Sequence, residues 1–323
     1  MESSGTNLTS SPDDFTARGS VTSIEGIVPE EFVPIKLRVM LPGGGVKGAF
    51  QLGVLTEILA SKMFTIDAVY GTSIGALMAP LIANEDIATL KNVFDNIHNI
   101  EDVVNCWSVL GMPVTSSYMV ALFSLFCLGG YQSIKLADTL EHVLTPEQLN
   151  IAEDKCHVVA YDILLNKERW FSGSELLVGV RCSSALWLAV PPVPYDGTFF
   201  SDGGVTEIYP VDYIVQHHNT DPTFDGLYLF VDCDKRGVSK PATSLPSNGL
   251  VLMNSLHTAA TMSLAEFELN RLREMMGEKM FIIRPDENIL NSALDIDQER
   301  MKQTYEAGRA KGKAFLASMN SNI

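Results

Sequence analysis

Apolar positions along this chain switch repeatedly between two spacings. Residues 35–41 form a short run in which apolar side chains alternate at first with Lys36 and Arg38, which predicts a strand ended by Pro42 and three glycines. From about residue 46 to 61, Phe50, Val54, Leu55 and Ile58 recur at helical spacing. Residues 66–70 read as a second strand, 71–75 as a sharp turn, and 76–82 as the start of another helix. Helices are predicted over 86–98, 115–128 and 134–143. Strands joined by a turn are predicted over 157–163 and 168–171, and residues 174–187 read as mostly helical toward their end. Asp196-Gly197 is a strong hairpin signal, so a strand over 198–201 is expected to deliver Asp202 at its end. A buried strand over 227–231, a long helix over 250–276, a last strand over 280–283 and a terminal helix over 295–317 follow. Strands alternating with helices predict an α/β layered fold. There is no internal repeat.

Composition narrows the function classes. Of 323 residues, 46% are hydrophobic, enough for a sizeable core. Residues 1–34 are rich in Ser, Thr, Gly, Pro and acidic residues without any period, and are expected to form a disordered leader. The 23 Lys and Arg stand against 39 Asp and Glu, a formal net charge of −16. Such a chain is poorly suited to a nucleic-acid backbone, so no nucleic-acid partner is expected. Five cysteines (Cys106, Cys127, Cys156, Cys182, Cys233) are scattered, with no CxxC and no zinc spacing, which argues against a disulfide framework and fits a reducing compartment. No conventional signal peptide stands at the N-terminus. The longest apolar run, residues 118–128, is too short to span a bilayer, which takes about 20 residues. The expectation is a cytoplasmic or peripherally membrane-associated protein.

Three short segments carry chemistry. Gly43-Gly44-Gly45-Val46-Lys47-Gly48 lies between a strand and a helix. It matches G-x-G-x-x-G, but the acidic residue that a dinucleotide site needs near the end of the next strand is missing, since Asp67 comes too early. Adjacent glycines at a helix N-terminus bare successive N–H groups, which suits an anion, including a transient oxyanion. Gly71-Thr72-Ser73-Ile74-Gly75 has the strand–turn–helix context of a nucleophile elbow. Ser201-Asp202-Gly203-Gly204 reads either as an Asp-Gly turn or as a carboxylate at a strand end with room for another backbone beside it. A Ser–His–Asp arrangement is the rival chemistry, because His217, His218 and His257 all follow Asp202.

In this order the three segments resemble the patatin-like phospholipase family, marked by G-G-G-x-[RK]-G, G-x-S-x-G and D-G-[GA]. The stretch from Ser183-Ser184-Ala185 to Pro191-Pro192-Val193 is similar to the family's approach to its catalytic Asp. Trp187-Leu188-Ala189 departs from it and is expected to reshape the acyl channel. The resemblance implies a three-layer α/β sandwich with a central, mostly parallel sheet flanked by helices. Residues 35–220 would form the catalytic core, and 221–323 would complete the same domain. It further implies a lipid acyl hydrolase acting on phospholipids through a Ser73–Asp202 dyad, without metal or other cofactor. Backbone N–H groups of Gly43, Gly44, Gly45 and Val46 would supply the oxyanion loop. Lys47, Gly48, Gly71, Gly75, Gly203 and Gly204 are its supporting motif residues, with Lys47 holding the loop or meeting a phosphate. A neutral-lipid or lysolipid esterase on the same dyad, or a non-catalytic lipid-binding protein, are the alternatives. The implied partners are a lipid substrate and a membrane surface. For the latter, residues 118–128, read first as a buried helix, and the cluster Arg300, Lys302, Arg309, Lys311 and Lys313, read first as a solvated helix face, are the candidate contacts.

Overall fold

A computed structural model describes residues 33–106, 108–109, 112–113, 131–187, 189–217, 223–235 and 249–320. The predicted leader up to residue 32, the helix predicted over 115–128, the apolar run 118–128 and His218 lie outside the described residues, as do the side chains of His217 and His257.

Eight strands form one mixed sheet: β1 (Ile35–Leu41), β2 (Phe64–Thr72), β3 (Cys156–Asp162), β4 (Lys167–Phe171), β5 (Val193–Tyr195), β6 (Thr198–Asp202), β7 (Leu227–Val231) and β8 (Met280–Ile283). The order is β8-β7-β1-β2-β3-β6-β5, with β4 also paired to β3. Pairings from β8 to β3 are parallel, while β4, β5 and β6 join antiparallel.

Alternation along the strands sends side chains to two cores. Leu37, Val39 and Leu41 face one, together with helices α1 (Ala49–Ala60), α2 (Ile74–Ala83) and α3 (Ile87–Asp95). Met40 faces the other, with Tyr228 and Phe230 of β7 and Leu269 and Leu272 of the long helix α7 (Gly249–Met276). Helices thus cover both faces, as an α/β layered fold requires. One bulge adjusts the pattern. Leu37 pairs with Ile66 but Arg38 with Ala68, leaving Asp67 as the extra residue. Its carboxylate accepts from Arg38 Nε at 2.7 Å, which assigns Asp67 a structural role.

Further helices include α4 (Lys135–Val143), α5 (Pro146–Lys155), α6 (Leu176–Ser183) and the terminal α8 (Gln298–Asn320). Helix α8 crosses α1 at backbone contact: a Cβ on Gly308 would meet the Phe50 carbonyl oxygen at 2.1 Å. One sequence expectation is corrected here. Residues 184–187 are not helical, because α6 stops at Ser183 and the chain turns. Three of the five cations read as a cluster on α8 are held by carboxylates: Arg300 by Asp295 and Asp297, Arg309 by Glu57 and Glu306, and Lys311 by Asp286. Among the described residues no helix is long and apolar enough to cross a membrane.

Candidate active site

The register of β3 brings the two reactive side chains together. On one edge it carries β4 from Val158 to Asp162. On its other edge β2 is paired up to Thr72, opposite Val159. There β2 ends, and the next residue of β3, Ala160, pairs with Asp202 of the antiparallel β6. Strands β2 and β6 therefore meet end to end on a shared neighbour, one arriving at Ser73 and the other at Asp202. The Ser73 hydroxyl lies 2.6 Å from Asp202 Oδ2.

Ser73 sits at the N-cap of α2 with φ 56° and ψ −118°, a backbone conformation that costs a non-glycine residue of order 1–3 kcal/mol. The elbow's glycines allow it. A Cβ on Gly75 would fall 1.9 Å from the Leu41 carbonyl oxygen, and one on Gly71 would strike the Gly75 backbone. Two contacts hold the turn. The Ser73 N–H donates to Ser183 Oγ at 2.9 Å, and Thr72 Oγ1 donates to the Glu207 carbonyl at 2.9 Å.

Asp202 is buried, and its Oδ1 accepts the Gly204 N–H at 2.7 Å. Its own N–H donates to the Ala185 carbonyl at 2.9 Å, so the turn after α6 anchors the strand end. Burial pushes the carboxyl up to about 6, against the downward pull of the Ser73 hydroxyl and the Gly204 N–H. Gly203 permits close approach to β3, since a Cβ there would meet the Val159 carbonyl oxygen at 2.4 Å.

The glycine loop lies directly over the nucleophile. A Cβ on Gly43 would come within 3.2 Å of Ser73 Cβ. Of the four candidate oxyanion residues, two have their amides engaged. The Gly43 N–H donates to the Ile208 carbonyl at 3.1 Å, and the Val46 N–H to the Ala293 carbonyl at 2.9 Å. These two amides are thus engaged within the fold. Gly45 has φ +58° and no space for a side chain, its Cβ position lying 2.1 Å from the Ala293 carbonyl oxygen. Lys47 Nζ lies 2.8 Å from Asp234 Oδ2, and both residues line the cavity that holds Ser73. Gly48 leads into α1, where buried Gln51 donates Nε2 to the carbonyls of Pro42 and Val231 at 3.1 and 3.0 Å.

Ser73, Asp202 and the loop share a cavity of about 480 Å³. Its apolar walls include Ile74, Leu77, Phe94, Leu136 and Trp187. Ile74, Leu77, Phe94 and Leu136 also line a narrower apolar cleft running on toward Leu81 and Leu140. Among the described residues no histidine lines the cavity. His157 packs against both Tyr70 and Tyr213, with ring centroids at 5.2 and 4.9 Å. Among the described residues no group of three or more His, Cys, Asp or Glu side chains could hold a metal ion.

Sequence reasoning missed Gln51, Glu207 and Asp234, all of which act on the site through contacts distant in the chain. Glu207 had one local signal: it lies five residues after Asp202. Its buried carboxylate accepts the N–H groups of Val211 and Asp212 at 3.0 and 2.7 Å. Burial, and after it the neighbouring carboxylates led by Glu268, hold this carboxyl well above the usual range.

A family model described as patatin-like phospholipase matches residues 39–215. Patatin-like phospholipase domain-containing protein 7 of Rattus norvegicus is 27% identical over 180 residues, which cover 54% of this chain and 12% of that protein. The Mus musculus protein of the same name is 26% identical over the same shares. The uncharacterized protein R571 of Acanthamoeba polyphaga mimivirus is 22% identical over 300 residues, covering 88% of this chain and 95% of the viral one. Among solved structures, VipD from Legionella pneumophila superposes with a TM-score of 0.46 at 13% identity, over 88% of this chain and 67% of its own.

Proposed function

This chain belongs to the patatin-like phospholipase family, and on that premise we propose that it is a serine-dependent lipid acyl hydrolase working through a Ser73–Asp202 dyad on phospholipid esters. The observation that carries the reading is the 2.6 Å contact between Ser73 Oγ and a buried Asp202, in an apolar cavity beneath the glycine loop.

In this reading the ester carbonyl sits between Ser73 Oγ and the N–H groups of Gly44 and Gly45. Asp202 Oδ2 takes the hydroxyl proton as Oγ attacks, and the carbonyl oxygen becomes an oxyanion held by the two amides. Collapse breaks the ester C–O bond, and Asp202 returns the proton to the departing alcohol oxygen, which leaves an acyl group on Ser73. Water then enters, gives its proton to Asp202 and attacks the acyl carbon. The fatty acid leaves and Oγ recovers the proton. A carboxylate raised to about 6 is a stronger base than an exposed one. The strained elbow and the start of α2 favour charge developing at Oγ and at the oxyanion. The apolar walls Ile74, Leu77 and Leu136 of the cavity at the dyad suit an acyl chain.

The test is incubation with a mixed panel of phospholipids, lysolipids and neutral glycerides, with released fatty acids read by mass spectrometry. Release from phospholipids that disappears in Ser73→Ala is expected. Release equal in wild type and Ser73→Ala, or from neutral glycerides alone, would overturn the reading.

A further inference from the structure

Helix α7 has two apolar sides. Ala265, Leu269, Leu272 and Met276 are packed in one buried core with Tyr228 and Phe230 of the sheet, and Thr261 is buried one turn before them. At about 100° per residue, Leu256, Ala260, Leu264 and Phe267 fall on a second stripe roughly 140° round the helix. This stripe is open to solvent: Leu256 is 63% exposed, Leu264 49% and Phe267 68%. A helix with a single buried face normally places polar residues there. Here no Asp, Glu, Lys or Arg occurs from residue 249 to residue 265, in a chain of net charge −16. The first carboxylate after it, Glu266, accepts from Arg284 at 2.7 Å and from the buried Tyr209 hydroxyl at 3.0 Å. The same helix is a wall of the active-site cavity, which Thr261 and Met262 line together with Ser73 and Asp202.

We propose that this outer stripe of α7 is the surface by which the protein seats on a lipid layer, with zwitterionic or uncharged headgroups as its preferred ground. The inference rests on the lipid-hydrolase reading and adds the place and the chemistry of docking. Charge decides between lipid surfaces. A strongly anionic protein is repelled by anionic headgroups, and the cations Arg300, Arg309 and Lys311 of α8 are already paired with carboxylates. An uncharged apolar stripe escapes that repulsion. Seated in the interface, α7 would have lipid on one side and the reaction cavity on the other. An acyl ester then has only the width of a helix to travel from its layer.

Flotation with phosphatidylcholine vesicles tests this, using Ser73→Ala protein so that turnover does not alter the lipid. The wild-type surface is expected to bind, changing less than about twofold between about 50 and about 500 mM salt, because exposed charges are not the driver. Adding anionic lipid should not strengthen binding. Leu264→Glu with Phe267→Glu should weaken it by roughly tenfold or more, since apolar burial is replaced by charge. In the Ser73 background the same pair should hydrolyse a soluble short-chain ester at a normal rate, which separates failed docking from failed chemistry. Circular dichroism, with the milder pair Leu264→Ser and Phe267→Ser, guards against a folding defect. Equal binding by wild type and variant would overturn the proposal. So would absence of binding, a steep loss with salt, or a dimer in solution that the substitutions dissociate. A protein that binds as expected but releases no fatty acid from any lipid would overturn the hydrolase reading and leave the docking surface standing.

Discussion

The Ser183 hydroxyl oxygen accepts the N–H of Ser73 at 2.9 Å, across 110 positions of sequence. Ser183 is fully buried at the end of α6, so this bond fixes the strained turn from within the fold. Ser183→Ala leaves the Ser73 N–H without that acceptor. A loss of about 1–2 kcal/mol in stability is expected, with kcat falling roughly tenfold and KM little changed because the nucleophile is misplaced. Ser183→Thr, which keeps the oxygen, should recover most of the rate. Denaturant unfolding and steady-state kinetics on a soluble ester measure both. An unchanged kcat in Ser183→Ala would remove this residue from the account.

Asp202 links activity to stability through pH. Its carboxyl is raised to about 6 in the folded chain, so kcat/KM should rise with pH through about 6 as the base ionises. The stability effect has the opposite sign. A raised carboxyl contributes stability that is full below its unfolded value near pH 4 and lost as pH climbs through about 6. Asp202→Asn should therefore lose roughly 100-fold or more in rate. At pH 8 it should gain roughly 1–3 kcal/mol in unfolding free energy. A variant that is both inactive and less stable at pH 8 would show that the carboxylate is not held at the expense of stability.

The strand positions and the elbow were legible because their signals are local. The run Ile35 to Leu41, the glycines around Ser73 and the Asp196-Gly197 hairpin each state their geometry within a few residues. Helix α5 was equally local and was overlooked: Thr145 and Gln148 form a capping box around Pro146, a start signal readable in sequence. What sequence could not give is which distant group answers a local one. Glu57 and Asp286 neutralise cations on α8 from elsewhere in the fold, so five basic residues read as a patch. Likewise nothing near Gly43 or Val46 announces that Ile208 and Ala293 take their N–H groups. The oxyanion loop therefore read as four donors, two of which are engaged within the fold.

Lys47 was open to two roles, holding the loop or meeting a phosphate. Its ion pair with Asp234 at 2.8 Å favours the first. Lys47→Ala and Asp234→Asn are then expected to slow a phospholipid and an uncharged soluble ester by the same factor, roughly 3- to 30-fold, through a loosened oxyanion loop. A rise in KM confined to the phospholipid would instead place Lys47 at the headgroup.

The central claim is that Ser73 is activated by Asp202 without a histidine. Labelling with a fluorophosphonate, followed by peptide mass mapping and by rate measurement, tests it most directly. The adduct is expected on the peptide carrying Ser73. Labelling should slow roughly 100-fold in Asp202→Asn and remain near the wild-type rate in His217→Ala, His218→Ala and His257→Ala. An adduct on another serine, or a folded His257→Ala protein that no longer labels, would contradict the dyad.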